Sequence, residues 1–154
     1  MRIVVVEDDS VQAGLIREAL HEEFPHAEFR QINTEFEFRS SLEELAADPP
    51  AAIVLDVMLR WADPAPDIPP RPVDVEREGF SRAGLRCGRL LAEDPKMKTV
   101  PVILYTVLDR NLVEHGPGAL PRAARYLQKG SDLGPLVEDI RRAIRAASAS
   151  PHSA

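Results

Sequence analysis

Short apolar runs alternate along the chain with longer segments in which apolar residues recur every three or four positions. The runs are rich in β-branched residues and stop at polar ones, a pattern typical of strands that are covered on both faces. The longer segments have the periodicity of amphipathic helices. We therefore predict an α/β fold with a doubly wound parallel sheet, whose five strands span residues 3–6, 27–32, 53–55, 100–105 and 124–127.

Polar residues mark where the predicted helices begin. Ser10 is a candidate cap for the first helix. Thr34, followed three residues later by Glu37, resembles a capping box for the second helix. A third helix is predicted over 81–93, and a last amphipathic helix has its apolar positions between residues 133 and 147.

The segment 61–78 interrupts the regular alternation. It carries five prolines and is longer than a strand-to-helix connection needs, so we predict an inserted, proline-stiffened loop. Its plainest role is a stiff linker. Two alternatives stay open: a polyproline II ligand formed by the P-x-x-P spacing at 69–72, and a partner contact anchored by Trp61.

The segment 108–122 also departs from the pattern. Its glycines and prolines predict that a helix after the fourth strand is cut to about two turns or split. The chain length suits one domain, which we predict over 1–147 and before a disordered tail over 148–154.

Charge and composition narrow the functional classes. A formal net charge of −6 and the absence of a Lys/Arg-rich run disfavour direct nucleic-acid binding. Cys87 is the one cysteine, which excludes an intrachain disulfide and suits a reducing compartment. The apolar run after Met1 is too short for a signal peptide or a membrane span, so we expect a cytoplasmic protein without membrane contact.

Polar side chains follow the predicted strands where each strand ends. Glu7 and Asp8 follow the first strand, Asp56 the third, Thr106 the fourth and Lys129 the fifth. Parallel sheets form their sites beyond the carboxyl ends of the strands, so these side chains should converge. Clustered carboxylates repel one another unless a cation neutralises them, and Mg²⁺ prefers such oxygen ligands. The sequence therefore predicts a Mg²⁺ site.

Four segments together resemble the response-regulator receiver domain of two-component signalling, the CheY-like family. They are IVVVEDDS (3–10), IVLDVML (53–59), VPVILYT (100–106) and ARYLQKG (124–130). The resemblance spans residues 2–147 and implies a flavodoxin-like sheet in the order 2-1-3-4-5, with helices on both faces.

The resemblance also implies roles for individual residues. Asp56 is the phosphoacceptor, and Thr106 and Lys129 read the phosphoryl group. Thr106 and Tyr126 match the switch hydroxyl and the switch aromatic residue of the family. The implied metal ligands are Glu7, Asp8, Asp56 and the backbone carbonyl of Met58.

By this resemblance the protein is a phosphoacceptor that catalyses only its own phosphorylation and dephosphorylation, and is otherwise not an enzyme. A histidine kinase or phosphotransfer protein donates the phosphoryl group. The sequence shows no output domain after residue 147, so we expect a downstream protein target to bind the switched surface, unless the chain is a piece of a longer protein. Related receivers often dimerise through the helix after the fourth strand, which leaves a homodimer open.

The main alternative is a phosphorylation-independent interaction module that acts through the segment 61–78. An enzyme on a similar sheet is disfavoured, because the acidic residues after strand one would repel a cofactor phosphate. The sequence departs from the family pattern at two prolines: Arg60 stands where a proline commonly follows the acceptor loop, and Gly130 where one follows the lysine.

Overall fold

A computed structural model describes residues 1–115 and 124–149 of the chain. The strands are β1 (Arg2–Val6), β2 (Glu28–Ile32), β3 (Ala52–Leu55), β4 (Val102–Thr106) and β5 (Ala124–Gln128). The helices are α1 (Ser10–Glu23), α2 (Glu35–Ala47), α3 (Val73–Glu78), α4 (Ala83–Glu93), α5 (Arg110–Glu114) and α6 (Gly134–Ala149).

The five strands form one parallel sheet in the order β2-β1-β3-β4-β5. The predicted fold class and strand order are confirmed. The chain leaves β1 toward one edge, to β2, and returns to β3 on the other side of β1. The strand order therefore reverses between β1 and β3, where sites form in open parallel sheets.

Alternate residues of the central strands β1, β3 and β4 point into two separate apolar cores, one on each face of the sheet. Val4 and Val6 of β1 pack with residues of α2, α4 and α5. Ile3 and Val5 pack with residues of α1 and α6. Both sides of the central strands are buried, which explains why their sequences are continuous apolar runs.

Side-chain hydrogen bonds cap the first turns of α1 and α2. Asp9, and not the predicted Ser10, caps α1, because its carboxylate accepts the backbone N–H groups of Val11 and Gln12. The hydroxyl of Thr34 caps α2 by accepting the N–H of Glu37 at 3.1 Å, as predicted.

The predicted loop over 61–78 is partly wrong, because its last third is the helix α3. Pro72 precedes this helix and Gly79, at a φ of 76°, ends it. A proline is favoured at a helix start because it has no N–H to satisfy. The helix predicted over 81–93 begins at Ala83, after a turn of 3₁₀ helix.

The predictions for 108–122 and 148–154 concern segments that lie partly outside the described residues. After β4 the described helix is α5, only five residues long, and the glycines and prolines at 116–121 lie outside the described residues. At the carboxyl end α6 continues to Ala149, so residues 148 and 149 are helical and not part of a tail. Residues 150–154 lie outside the described residues.

Buried ion pairs fix α3 against the body of the domain. Arg86 of α4 and Glu35 of α2 are each 1% exposed, and their charged groups lie 2.7 Å apart. Glu78 of α3 receives hydrogen bonds from Arg89 at 3.0 and 3.1 Å and one from Arg86 at 3.4 Å. The segment is thus a structured insertion.

Trp61 belongs to the same packing. Its ring lies edge-on to Phe36 with centroids 5.5 Å apart, and its indole N–H donates to the carbonyl of Pro69 at 2.8 Å. The side chain is buried, so it fastens the insertion to α2 and is not presented to a partner.

None of the helices in the described part of the chain is both long enough and apolar enough to cross a membrane.

Candidate functional site

Backbone pairing brings the predicted site residues to one edge of the sheet. The N–H of Asp56 donates to the carbonyl of Val6 at 3.0 Å, and the N–H of Lys129 donates to the carbonyl of Thr106 at 2.7 Å. The ladders therefore run one residue past the strand ends, and the side chains that follow emerge together at this edge.

Lys129 joins two of the predicted carboxylates. Its ammonium donates to Oδ2 of Asp56 at 2.6 Å and to Oε2 of Glu7 at 2.5 Å. The three side chains are only 10%, 6% and 3% exposed, respectively. The ammonium also lies over the ring of Tyr105, 5.9 Å from its centroid, which is within the range of a cation–π contact.

The rest of each carboxylate is held by the backbone. Oδ1 of Asp56 accepts the N–H of Met58 at 3.2 Å, and Oε1 of Glu7 accepts the N–H of Asp9 at 3.0 Å. Each carboxylate therefore has one oxygen fixed by its own loop and the other turned to Lys129, so the geometry of the pair is well defined.

Burial and charge shift the pKa values of this cluster. Burial raises the pKa of Glu7 above its usual value, and the charge of Asp56 adds to that effect against the hydrogen bond from Lys129. Burial alone would lower the pKa of Lys129, but its hydrogen bonds to Asp56 and Glu7 outweigh burial and raise it. The ammonium therefore stays charged at neutral pH.

Asp8 does not join this group. One of its carboxylate oxygens accepts the backbone N–H of Arg60 at 3.1 Å, and the guanidinium Nε of Arg60 lies 3.5 Å from the same oxygen. The guanidinium also donates to the main-chain carbonyl of Asp8 at 3.0 Å. Asp8 thus pairs with Arg60, while Glu7 pairs with Lys129.

The two predicted switch residues, Thr106 and Tyr126, both form hydrogen bonds with the backbone of Leu108. Thr106 is fully buried at the end of β4, and its hydroxyl oxygen accepts the N–H of Leu108 at 3.3 Å. The hydroxyl of Tyr126 donates to the carbonyl of Leu108 at 2.5 Å, and the Arg110 guanidinium lies over its ring at 5.7 Å. Thr106 and Tyr126 are therefore linked through the peptide groups of Leu108.

The acidic side chains of the site have the chemistry that binds a divalent metal, but their arrangement in the structure does not bring them together around one. Glu7, Asp8 and Asp56 offer the oxygen ligands that hard cations prefer. Yet in the described residues no three acidic, histidine or cysteine side chains converge as a metal-binding group. Lys129 lies between Glu7 and Asp56, and Asp8 points to Arg60, so metal binding at these ligands and the carbonyl of Met58 requires these contacts to rearrange.

Sequence reasoning missed two parts of this region. Arg60 stood out only as a departure from a family pattern, and its contact with Asp8 joins residues that are 52 positions apart. Arg86 lies on a helix whose buried side was predicted from apolar residues alone, and its partner Glu35 is 51 positions away. Local sequence carries no sign of pairs so distant.

A cavity of about 420 Å³ opens beside Asp8, between the site and the insertion. Arg60, Trp61, Arg71 and Phe80 are among the residues that line it. The inserted segment therefore borders the site through this cavity as well as through Arg60.

No protein-family model matches the sequence, and no curated protein matches it. Solved structures do match the fold. The signal receiver domain of a signal transduction histidine kinase from Syntrophus aciditrophicus is 21% identical, with a TM-score of 0.65 over 99% of this chain and 96% of that one.

Two response regulators match as well. The phosphorylated cyanobacterial phytochrome response regulator RcpA is 21% identical, with a TM-score of 0.60 over 92% of this chain and 89% of that one. The Mn²⁺-bound form of response regulator Rcp1 is 19% identical, with a TM-score of 0.54 over 92% and 89% of the two chains. At these identities the likeness establishes the fold, which is that of CheY-like signal receiver domains.

Proposed function

We propose that this protein is a phosphoacceptor response regulator of a two-component or phosphorelay system, with Asp56 as the acceptor. The observation that carries the proposal is the Lys129 ammonium held between the buried carboxylates of Asp56 and Glu7, at 2.6 and 2.5 Å. The ammonium of a buried lysine that pairs with the acceptor can form an ion pair with a phosphoryl oxygen once one is present.

The reaction is a transfer from a phosphohistidine of the partner. A carboxylate oxygen of Asp56 attacks the phosphorus atom, a P–O bond forms, and the P–N bond to the histidine breaks. The histidine nitrogen keeps the electron pair of that bond and takes a proton from water, so that the histidine is released as neutral imidazole. Lys129 then pairs with the transferred group, and the Thr106 hydroxyl donates to it.

The link through Leu108 supports a switch. When Thr106 turns its hydroxyl toward the phosphoryl group, Leu108 loses the acceptor for its N–H, and the carbonyl that holds Tyr126 is free to move. The surface formed by α5, β5 and α6 then changes its affinity for a downstream protein target. A histidine kinase or phosphotransfer protein supplies the phosphoryl group.

We also propose Mg²⁺ as the cofactor, bound by Glu7, Asp8, Asp56 and the backbone carbonyl of Met58. The oxygen donors of these residues support it, and one structural neighbour is a Mn²⁺-bound response regulator. In this account the protein works in the cytoplasm as a signalling phosphoacceptor and not as an enzyme with a separate substrate.

The test is incubation with Mg²⁺ and either acetyl phosphate or a phosphorylated histidine phosphotransfer domain, followed by intact mass measurement. We expect a gain equal to one phosphoryl group, with no gain in Asp56→Asn. Asp67→Asn is the matched control, because it removes an exposed carboxylate of the insertion that forms no ion pair within the described residues, and it should keep the gain. No gain with either donor, or an equal gain in Asp56→Asn, would overturn the proposal.

One observation favours the competing function of a constitutive interaction module. The insertion is held in place by the hydrogen bonds of Arg86 to Glu35 and Glu78, none of which involves Asp56 or Lys129, so its surface can form independently of the acceptor site. If partner binding is the same for Asp56→Asn and the wild type, with and without beryllofluoride, the module function is the correct one.

A further inference from the structure

Arg60 gives Asp8 contacts that the proline of the receiver pattern cannot give. Proline has neither a backbone N–H nor a charge. Here the N–H of Arg60 donates to Oδ2 of Asp8 at 3.1 Å, and the guanidinium donates to the main-chain carbonyl of Asp8 at 3.0 Å. The departure from the pattern therefore adds a backbone donor and a positive charge at Asp8.

The consequence is that protein cations already accompany all three acidic side chains of the site. Lys129 pairs with Glu7 and Asp56, and Nε of Arg60 lies 3.5 Å from the carboxylate of Asp8. A divalent cation that approaches Asp8 meets this guanidinium, whose charge has the same sign as its own. Metal binding at Asp8 is therefore opposed as long as the guanidinium stays there.

We propose that Arg60 is a built-in competitor of the divalent metal: it neutralises Asp8 when no metal is bound, and it must release Asp8 before a metal ion binds there. This inference rests on the proposed function in one respect, namely that the metal uses Asp8. It deepens that function by making occupancy of the metal site depend on the residue directly before the insertion.

The structure provides both a place and a partner for the released side chain. Arg60 and Asp8 line the cavity of about 420 Å³ beside the insertion. The guanidinium of Arg60 is 45% exposed, and its Nη1 lies 3.6 Å from the carboxylate of Asp63. A guanidinium that leaves Asp8 therefore keeps an anionic neighbour within the insertion.

The backbone contact lets the side-chain charge be tested separately. Arg60→Gln keeps the N–H that donates to Asp8 and removes only the positive charge, whereas Arg60→Lys keeps a charge. Arg71→Gln is the matched control, because Arg71 lines the same cavity and forms no ion pair within the described residues. It removes one positive charge from the insertion without touching Asp8.

The experiment measures the Kd for Mn²⁺ from the electron paramagnetic resonance signal of the free ion, and the Kd for Mg²⁺ by competition. For Arg60→Gln we expect both Kd values to fall roughly threefold to tenfold, in line with the loss of one close charge. Arg60→Lys and Arg71→Gln should stay near the wild-type values. Asp8→Asn in the Arg60→Gln background should weaken binding again.

An unchanged Kd in Arg60→Gln, or an equal fall in Arg71→Gln, would overturn the inference. Thermal melting without metal checks that each variant folds, and Arg60→Ala serves as a second variant that removes the charge. If neither the wild type nor Arg60→Gln binds Mn²⁺, the proposed metal site and this inference both fall. Tighter binding in Arg60→Gln without phosphoryl transfer to Asp56 would keep the inference and overturn the phosphoacceptor function.

Discussion

At the scale of single residues, Lys129 decides whether the acidic pocket is stable. Its ammonium is the cation for both Glu7 and Asp56, and all three side chains are nearly buried. Removing one partner of a buried ion pair costs more than the pair itself contributes, because the remaining charge stays buried without compensation. The lysine therefore matters for stability as well as for the proposed signalling chemistry.

We predict that Lys129→Met lowers the free energy of unfolding at pH 7 by about 3–5 kcal/mol. The loss should shrink in acid. In the folded protein the pKa of Glu7 lies above its ordinary value of 4.5. The shift therefore stabilises the fold fully below pH 4.5, and this contribution to the free energy of unfolding is lost as the pH rises through the folded pKa. Without Lys129 the pKa of Glu7 rises further, so protonation relieves the buried charge at a higher pH.

Urea denaturation of the wild type and the variant between pH 7 and pH 4.5 measures the difference. Lys98→Met is the control, because Lys98 is an exposed lysine with no ion pair in the described part of the chain. It should leave the free energy of unfolding nearly unchanged at every pH. A loss in Lys129→Met that is the same at both ends of the range would show that the buried carboxylates are not its cause.

At the scale of elements, the helix α3 is fixed by charge more than by apolar contact. Val75 is its one buried residue, whereas Asp74 and Glu78 bond arginines of α2 and α4. Burial alone would raise the pKa of each carboxyl, but the hydrogen bond from Arg39 lowers the pKa of Asp74 and that from Arg89 lowers the pKa of Glu78. Both carboxylates therefore stay charged in mild acid.

We predict that α3 leaves the body of the domain in acid before the sheet unfolds. A carboxyl with a lowered folded pKa stabilises the fold above its ordinary value, and this contribution is lost as the pH falls through the lower, folded pKa. The ordinary values are 3.8 for Asp74 and 4.5 for Glu78, so docking should hold at pH 5 and weaken below about pH 4.

Amide hydrogen exchange, corrected for the intrinsic pH dependence, tests this prediction in residues 73–78, with residues of α4 as the internal reference. Glu78→Gln should raise exchange in α3 already at pH 7 and flatten its pH dependence. Loss of protection in wild-type α3 near neutral pH, or in α3 and α4 together, would contradict the prediction.

At the scale of the whole molecule, the net negative charge disfavours nucleic acids as partners. The formal net charge is −6, from 25 acidic and 19 basic residues. Many of the arginines form ion pairs within the domain, among them Arg39, Arg86 and Arg89. Within the described residues such pairs neutralise these cations locally, whereas phosphate backbones are bound by clusters of unpaired lysine and arginine.

We predict no saturable binding of duplex DNA. Fluorescence anisotropy with a labelled duplex at about 50 mM salt is a stringent test, because low salt favours non-specific binding to phosphates. Lysozyme or another basic protein of similar size provides the positive control. Saturable binding whose Kd rises steeply with salt would show a basic surface that the net charge does not reveal.

The sequence by itself determined the sheet, its strands and the edge at which the chemistry lies. Apolar runs that are buried on both faces and stop at polar residues mark the strands locally, so Glu7, Asp56, Thr106 and Lys129 could be assigned to strand ends. Parallel strands then bring those ends together wherever the chain folds into one sheet. The likeness to known receivers added the strand order, which the structure confirms.

Only the tertiary structure decided which charges pair. It assigned Lys129 to both Glu7 and Asp56, turned Asp8 to Arg60, and made part of a predicted loop into a helix fixed by Arg86 and its partners. Ion pairs join residues far apart in the chain, and their geometry depends on how helices pack on the sheet. Hydrophobic periodicity carries no information about that packing, so these contacts could not be derived from local pattern.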